Sequence, residues 1–178
     1  MTRTEHSFWL LPAEPLATRL RAVVADLAEA FGAAPFEPHV TLYCGASDDA
    51  TTRTVMEAVA QQSGPVELMF ARLDATEEYT KTLFIQFEER VAARKIFEAV
   101  RGLFSPPSDY ALNPHLSLIY STLPMARKLE IMRTLTLPKG EYRFDRLRAI
   151  ETEIPLTQSD QIRRWRVVCD RALSARAG

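Results

Sequence analysis

The chain has 178 residues, 47% of them hydrophobic and 25% charged, with a formal net charge of −1. That length buries roughly 70% of the surface an unfolded chain exposes, so one domain, or two intimately packed lobes, stands without disulfide or metal staples. The near-zero charge excludes an extended grip on nucleic acid but leaves room for a small phosphate ester held by local groups. Two cysteines, Cys44 and Cys169, form neither a disulfide framework nor a metal quartet, and both read as buried thiols in apolar strands. The only apolar run near the N-terminus is Phe8–Leu11, which Pro12 closes, too short for a signal-peptide core or a membrane span. The expectation is a cytoplasmic monomer with no membrane partner.

In chain order, "SFWLLP" reads as a first strand. Leu16, Leu20, Val23, Val24, Leu27 and Phe31 then recur at helical spacing, with Gly32 where a helix C-cap belongs. "PHVTLYC" alternates like a strand. "SDDATTRTVMEAVAQQSG" reads as a helix capped by Ser47 and stopped by glycine, and "PVELMFARLD" is a third strand. The same order returns: "YTKTLFIQFE" as strand, "ERVAARKIFEAVRGLF" as helix, "PHLSLIYS" as strand, "PMARKLEIMRTLTL" as helix and "EYRFDRLRAIE" as strand. "RRWRVVCD" closes the chain as an edge strand with outward arginines. This is β-α-β-α-β written twice, an α+β duplication with its first repeat at about 1–75 and its second at about 76–178. No linker separates the halves, so they should pack as one bilobal domain with a cleft between them, a preferred place for ligands. Which sheet each outer strand joins is left open by element order.

Two of the three histidines sit at matching places in the duplication, in "EPHVTLYCG" and "NPHLSLIYS". Strand alternation puts His39, Thr41 and Tyr43 on one face and Val40, Leu42 and Cys44 on the other. In the second copy, His115 and Ser117 share a face opposite Leu116 and Leu118. Each face then offers an imidazole and a hydroxyl roughly 6.5–7 Å apart. Two such pairs converging on one site suit a phosphodiester. One imidazole acts as base and the other as acid near neutral pH, and Thr41 and Ser117 donate to the non-bridging oxygens. No metal or other cofactor is needed. His6 lacks the motif and reads as part of a frayed terminus.

The motifs "HVTL" and "HLSL" resemble the paired signatures of the two-histidine (2H) phosphoesterase superfamily. "FWLLP", "FEPHVTL", "PHLSLIY" and "WRVVCD" are similar to the strands of its cyclic phosphodiesterase branch. The resemblance implies two lobes with antiparallel sheets facing a central cleft, and metal-independent opening of small cyclic phosphates. The substrates it implies are nucleoside 2′,3′-cyclic phosphates, giving 2′-phosphates, or ADP-ribose 1″,2″-cyclic phosphate. It puts His39 and His115 in the acid and base roles and Thr41 and Ser117 on the phosphate. It also implies Tyr120 on the substrate side, if the strand bends or ends there, and Trp9 as an aromatic surface for a base or ribose. Tyr79 and Lys81 would flank the cleft. Two alternatives stand beside this reading. One is an RNA-end enzyme related to 2′-5′ RNA ligases, which needs a basic track. The other is a non-catalytic nucleotide-binding protein that kept the fold.

Overall fold

The computed structural model describes residues 2–174. Its elements are β1 (Arg3–Pro12), α1 (Leu16–Phe31), β2 (Val40–Gly45), α2 (Asp49–Gln62), β3 (Val66–Asp74), β4 (Leu83–Phe87), α3 (Val91–Arg101), β5 (His115–Ile119), α4 (Met125–Thr134), β6 (Glu141–Ile154), α5 (Ser159–Arg163) and β7 (Arg166–Ala172). All strand pairings are antiparallel. The helices follow their apolar stripes: α1 buries Leu20, Val24 and Leu27, and α3 buries Ile96, Phe97 and Val100. Gly32 ends α1 with φ of 65°, a left-handed turn that costs glycine nothing.

The last strand of each half is lent to the other. β3 pairs with β4 and the start of β6, while the rest of β6 pairs with β1 and β7. The helices exchange as well, α1 packing on β5 and α3 on β2. The two motif strands meet at a single bridge, Val40 opposite Leu116, the residues that directly follow the two histidines. Val40, Leu42, Leu116 and Leu118 are fully buried, which turns both histidines to the opposite face.

Strict alternation fails at one offset in both halves. Trp9 pairs with Thr41 but Phe8 with Tyr43, leaving Leu42 as an extra residue in β2. Phe84 pairs with Ser117 but Leu83 with Ile119, leaving Leu118 extra in β5. Each register shift lets two adjacent side chains face the core and moves the following residue to the cleft face. Tyr43 therefore packs with Phe8 and Phe104 in the core, and Cys44 turns to the cleft, the reverse of the alternation expected for both.

Other differences are local. Asp48 rather than Ser47 caps α2, its carboxylate accepting from the Thr51 N–H at 2.8 Å, and the helix ends at Ser63 before the glycine. Residues 79–81 form a 3₁₀ turn instead of opening β4. Arg163 and Arg164 belong to the end of α5, which no pattern announced, since five residues are too few for a period. His6 is 3% exposed within β1, not frayed, because β1 lies between β2 and β6. No helix among the described residues is long and apolar enough to cross a membrane.

Candidate active site

Each motif histidine is held by the same local device. Nδ1–H of His39 donates to the Glu37 carbonyl at 2.7 Å, and Nδ1–H of His115 donates to the Asn113 carbonyl at 2.7 Å. The proline between carbonyl and imidazole (Pro38, Pro114) biases the residue before it to extended backbone. That presents the carbonyl to the ring two positions on. With Nδ1 committed in this way, Nε2 carries the lone pair and is the nitrogen left without a protein partner among the described residues.

The two rings line one cavity of about 210 Å³ together with Thr41, Trp9, Tyr120 and Lys81. Its remaining wall comes from Ser7, Cys44, Thr80, Tyr110, Ile150, Thr152, Ile154, Leu156 and Trp165. Thr41 presents a hydroxyl with no protein partner among the described residues. Ser117, 4% exposed, is placed differently: its hydroxyl donates to the Thr80 carbonyl at 2.7 Å, beneath the 3₁₀ turn. Tyr120 reaches the cavity because β5 ends at Ile119 after its extra residue, and its ring stacks on Phe36 at 4.2 Å. Lys81, the only lysine or arginine on this wall among the described residues, lies 5.0 Å from the Phe84 ring. Tyr79 does not reach the cavity. It packs behind Tyr120, with its hydroxyl 3.3 Å from Ser159 Oγ.

Burial sets the electrostatics. His39 is 5% exposed, and desolvation pushes its pKa down to about 3, with the nearby charges of His115 and Arg148 acting in the same direction and the Glu37 carbonyl opposing. His115 is also lowered, chiefly by burial and secondarily by Lys81, while the Asn113 carbonyl and Glu78 oppose. Burial raises the hydroxyls of Tyr120 and Tyr110 and the thiol of Cys44 above their ordinary values. Both tyrosines and the cysteine are therefore neutral near pH 7. The imidazoles are the groups in this cleft whose ordinary pKa lies nearest neutrality, and burial holds both toward the unprotonated form.

Several wall residues had no sequence motif to announce them. Trp165 sits inside the charged run "RRWR", where the aromatic among arginines was the available signal. Tyr110 comes from the loop that follows α3. That loop is tied to β2 by the Ser108 hydroxyl donating to the Cys44 carbonyl and the Tyr110 hydroxyl donating to the Thr41 carbonyl. Outside the cleft, His6, Asp49 and Glu151 bring ligand-type atoms within 4.8 Å of one another. Arg166 already bonds both carboxylates at 2.8–2.9 Å, so this cluster is an ion-pair network at the surface, with the arginine side chain still about half exposed.

An α+β duplication whose two Pro-His strands abut at one cleft is the architecture of a two-histidine phosphoesterase. The sequence matches the family model described as cyclic phosphodiesterase-like protein over residues 4–141, and the chain belongs to that family. Among solved structures, E. coli LigT complexed with 3′-AMP superposes with a TM-score of 0.59 at 11% identity, over 97% of this chain and 99% of LigT. The protein TT0787 of Thermus thermophilus gives 0.59 at 13% identity, over 95% and 97%. A structure described as a phosphoesterase gives 0.60 at 11%, over 97% and 100%. These likenesses establish the fold. Comparison with curated proteins finds no sequence match.

Proposed function

We propose that this protein hydrolyses small cyclic phosphodiesters, nucleoside 2′,3′-cyclic phosphates or ADP-ribose 1″,2″-cyclic phosphate, with His39 as base and His115 as acid. The observation that carries this reading is the shared cavity, in which two imidazoles are each locked through Nδ1 and free at Nε2. Water attacks phosphorus, and its proton passes to Nε2 of unprotonated His39. The bond from phosphorus to one ribose oxygen breaks as that oxygen takes a proton from His115, leaving a phosphate monoester. His39 suits the base because it is the more deeply buried ring. His115 lies nearer solvent, so burial opposes its protonated form less than it does for His39. Thr41 and Ser117 donate to the non-bridging oxygens, Ser117 after turning from Thr80, and Lys81 faces the phosphate charge. Tyr120 borders the substrate. The two imidazoles perform both proton transfers, so the mechanism gives a metal no task.

Lys81 is the one lysine or arginine lining the cavity among the described residues, so there is no basic track there, which supports a small substrate over an RNA end. The test is a panel of 2′,3′-cyclic nucleotides, ADP-ribose 1″,2″-cyclic phosphate, 3′,5′-cyclic nucleotides and a 2′-5′ linked dinucleotide, with and without EDTA. Turnover of the first two classes in EDTA, with phosphorus NMR showing the 2′-phosphate from nucleotides, is the expected result. Inertness toward both, or a loss in EDTA that added metal restores, would sink the proposal.

A further inference from the structure

One face of Trp9, the residue expected to offer an aromatic surface to a base or ribose, is covered by the protein itself. Its indole lies parallel to the His39 imidazole, with centroids 3.6 Å apart and planes 11° apart. The indole is fixed in turn: Nε1–H donates to Ser7 Oγ at 2.8 Å, and Trp9 is 3% exposed between Thr41 of β2 and Arg148 of β6. Trp165 meets both rings edge-on, 5.1 Å from Trp9 and 6.1 Å from His39, and Phe36 closes a further side at 6.1 Å.

The equivalent place in the second half is held by Phe84, which pairs with Ser117 as Trp9 pairs with Thr41. Phe84 only meets His115 edge-on, at 5.5 Å and 76°. Both imidazoles have the backbone hydrogen bond, so that bond does not account for the stack. A single hydrogen bond leaves an imidazole free to rock about its broad terminal torsion. A ring laid flat against its face removes that freedom.

We propose that Trp9 is a positioning residue for His39, its stacked indole fixing the imidazole plane and excluding water from that face so that Nε2 stays aimed into the cleft. The inference rests on the phosphodiesterase reading, in which His39 is the base, and it takes Trp9 out of the substrate contacts. The charged or titratable groups that face His39 from other elements are His115 on β5 and Arg148 on β6, and neither is altered when the indole is replaced.

Trp9→Leu and Trp9→Phe are compared with the unaltered protein by imidazole nitrogen NMR at neutral pH and by kinetics on a 2′,3′-cyclic nucleotide. In the unaltered protein His39 shows one neutral tautomer, protonated at Nδ1. Trp9→Leu mixes the tautomers and lowers kcat about 10–100-fold, the scale of a misplaced reacting group, with KM held within about threefold. Trp9→Phe restores the single tautomer and most of kcat. A raised KM with unchanged kcat would make Trp9 a substrate contact, and an unchanged nitrogen signature in Trp9→Leu would remove its hold on the ring; either overturns the proposal. If Trp9→Leu does not fold, Ser7→Ala frees the indole N–H without opening space beneath the ring. It should give the same changes in weaker form, and an unchanged signature there is equally fatal. The NMR readout needs no turnover, so a protein inert toward every cyclic phosphate would end the functional reading while the positioning role stayed measurable.

Discussion

His39 lies flat against an indole with 5% of its surface exposed, whereas His115 meets one aromatic edge and opens toward Lys81 and Glu78. Their backbone surroundings are nearly superimposable: the same proline, the same 2.7 Å bond to a carbonyl two residues back, the same register shift three residues on. A duplicated frame alone would give two imidazoles with equal proton affinity, and unequal surroundings bias which of them holds the proton. The inequality comes from where the halves differ. Trp9 stands where its counterpart is Phe84, and Trp165 belongs to the extra C-terminal segment, which packs on the first motif strand's side of the cleft. Symmetry builds the site, and the departures from it divide the labour.

The sharpest way to test that division is to remove each ring in turn. His39→Ala and His115→Ala should each lower turnover of a cyclic nucleotide by about 10²–10⁴-fold, the contribution of a positioned acid or base. The two losses should then separate on a phosphodiester whose leaving group is an acidic phenol. Such a group departs without a proton, so His115→Ala regains activity on it and His39→Ala does not. Rescue of the His39 variant instead would exchange the two roles, and rescue of neither would break the acid–base assignment.

The same comparison predicts how stability responds to pH. Both folded-state pKa values lie below the ordinary 6.5, so the unfolded chain binds protons that the folded one refuses. The stability tied to these groups is complete above about pH 6.5 and is lost as the pH falls. For His39, with its folded value at about 3, the loss reaches at most about 1.4 kcal/mol per pH unit across that window. Urea titrations between pH 7 and 4.5 should show His39→Asn flattening the curve and His115→Asn flattening it less. Equal slopes in both variants would mean that the rings are equally buried in solution.

Much of this frame was legible in the residues. The helices declared themselves through the spacing of Leu20, Val24 and Leu27 or Ile96, Phe97 and Val100, because one buried face imposes a 3.6-residue period. The histidines declared themselves through repetition. The register shifts were harder, since a single extra residue changes which side chains face the cleft without changing composition. Their trace is an adjacent apolar pair at one offset in each motif, Leu42-Tyr43 and Leu118-Ile119, both buried where alternation would bury one. That trace explains why Tyr120 and Cys44, five residues after their histidines, share the cavity. The lending of β3 and β6 between halves left no local mark, because an antiparallel strand buries the same pattern in either sheet. Trp165 was hidden by its charged neighbours, and the stack of Trp9 on His39 depends on a β1–β2 register that no linear pattern encodes.

The smallest expected effects separate the two hydroxyls. Thr41 has no protein partner for its Oγ1 among the described residues, whereas Ser117 donates to the Thr80 carbonyl at 2.7 Å. A phosphate can recruit Thr41 at no internal cost but must draw Ser117 away from an existing bond. Thr41→Val should therefore lower kcat/KM by about tenfold, the value of one hydrogen bond to a charged group, with little change in stability. Ser117→Ala should cost less in kcat/KM but about 1 kcal/mol in stability, because it strips the donor from Thr80 beneath the turn that carries Lys81. Steady-state kinetics and urea midpoints on both variants measure the two orderings. Were Ser117→Ala the more damaging to turnover and the less damaging to stability, the hydroxyl would have to face the phosphate already in the free protein, and the two halves would be more alike than their hydrogen bonds indicate.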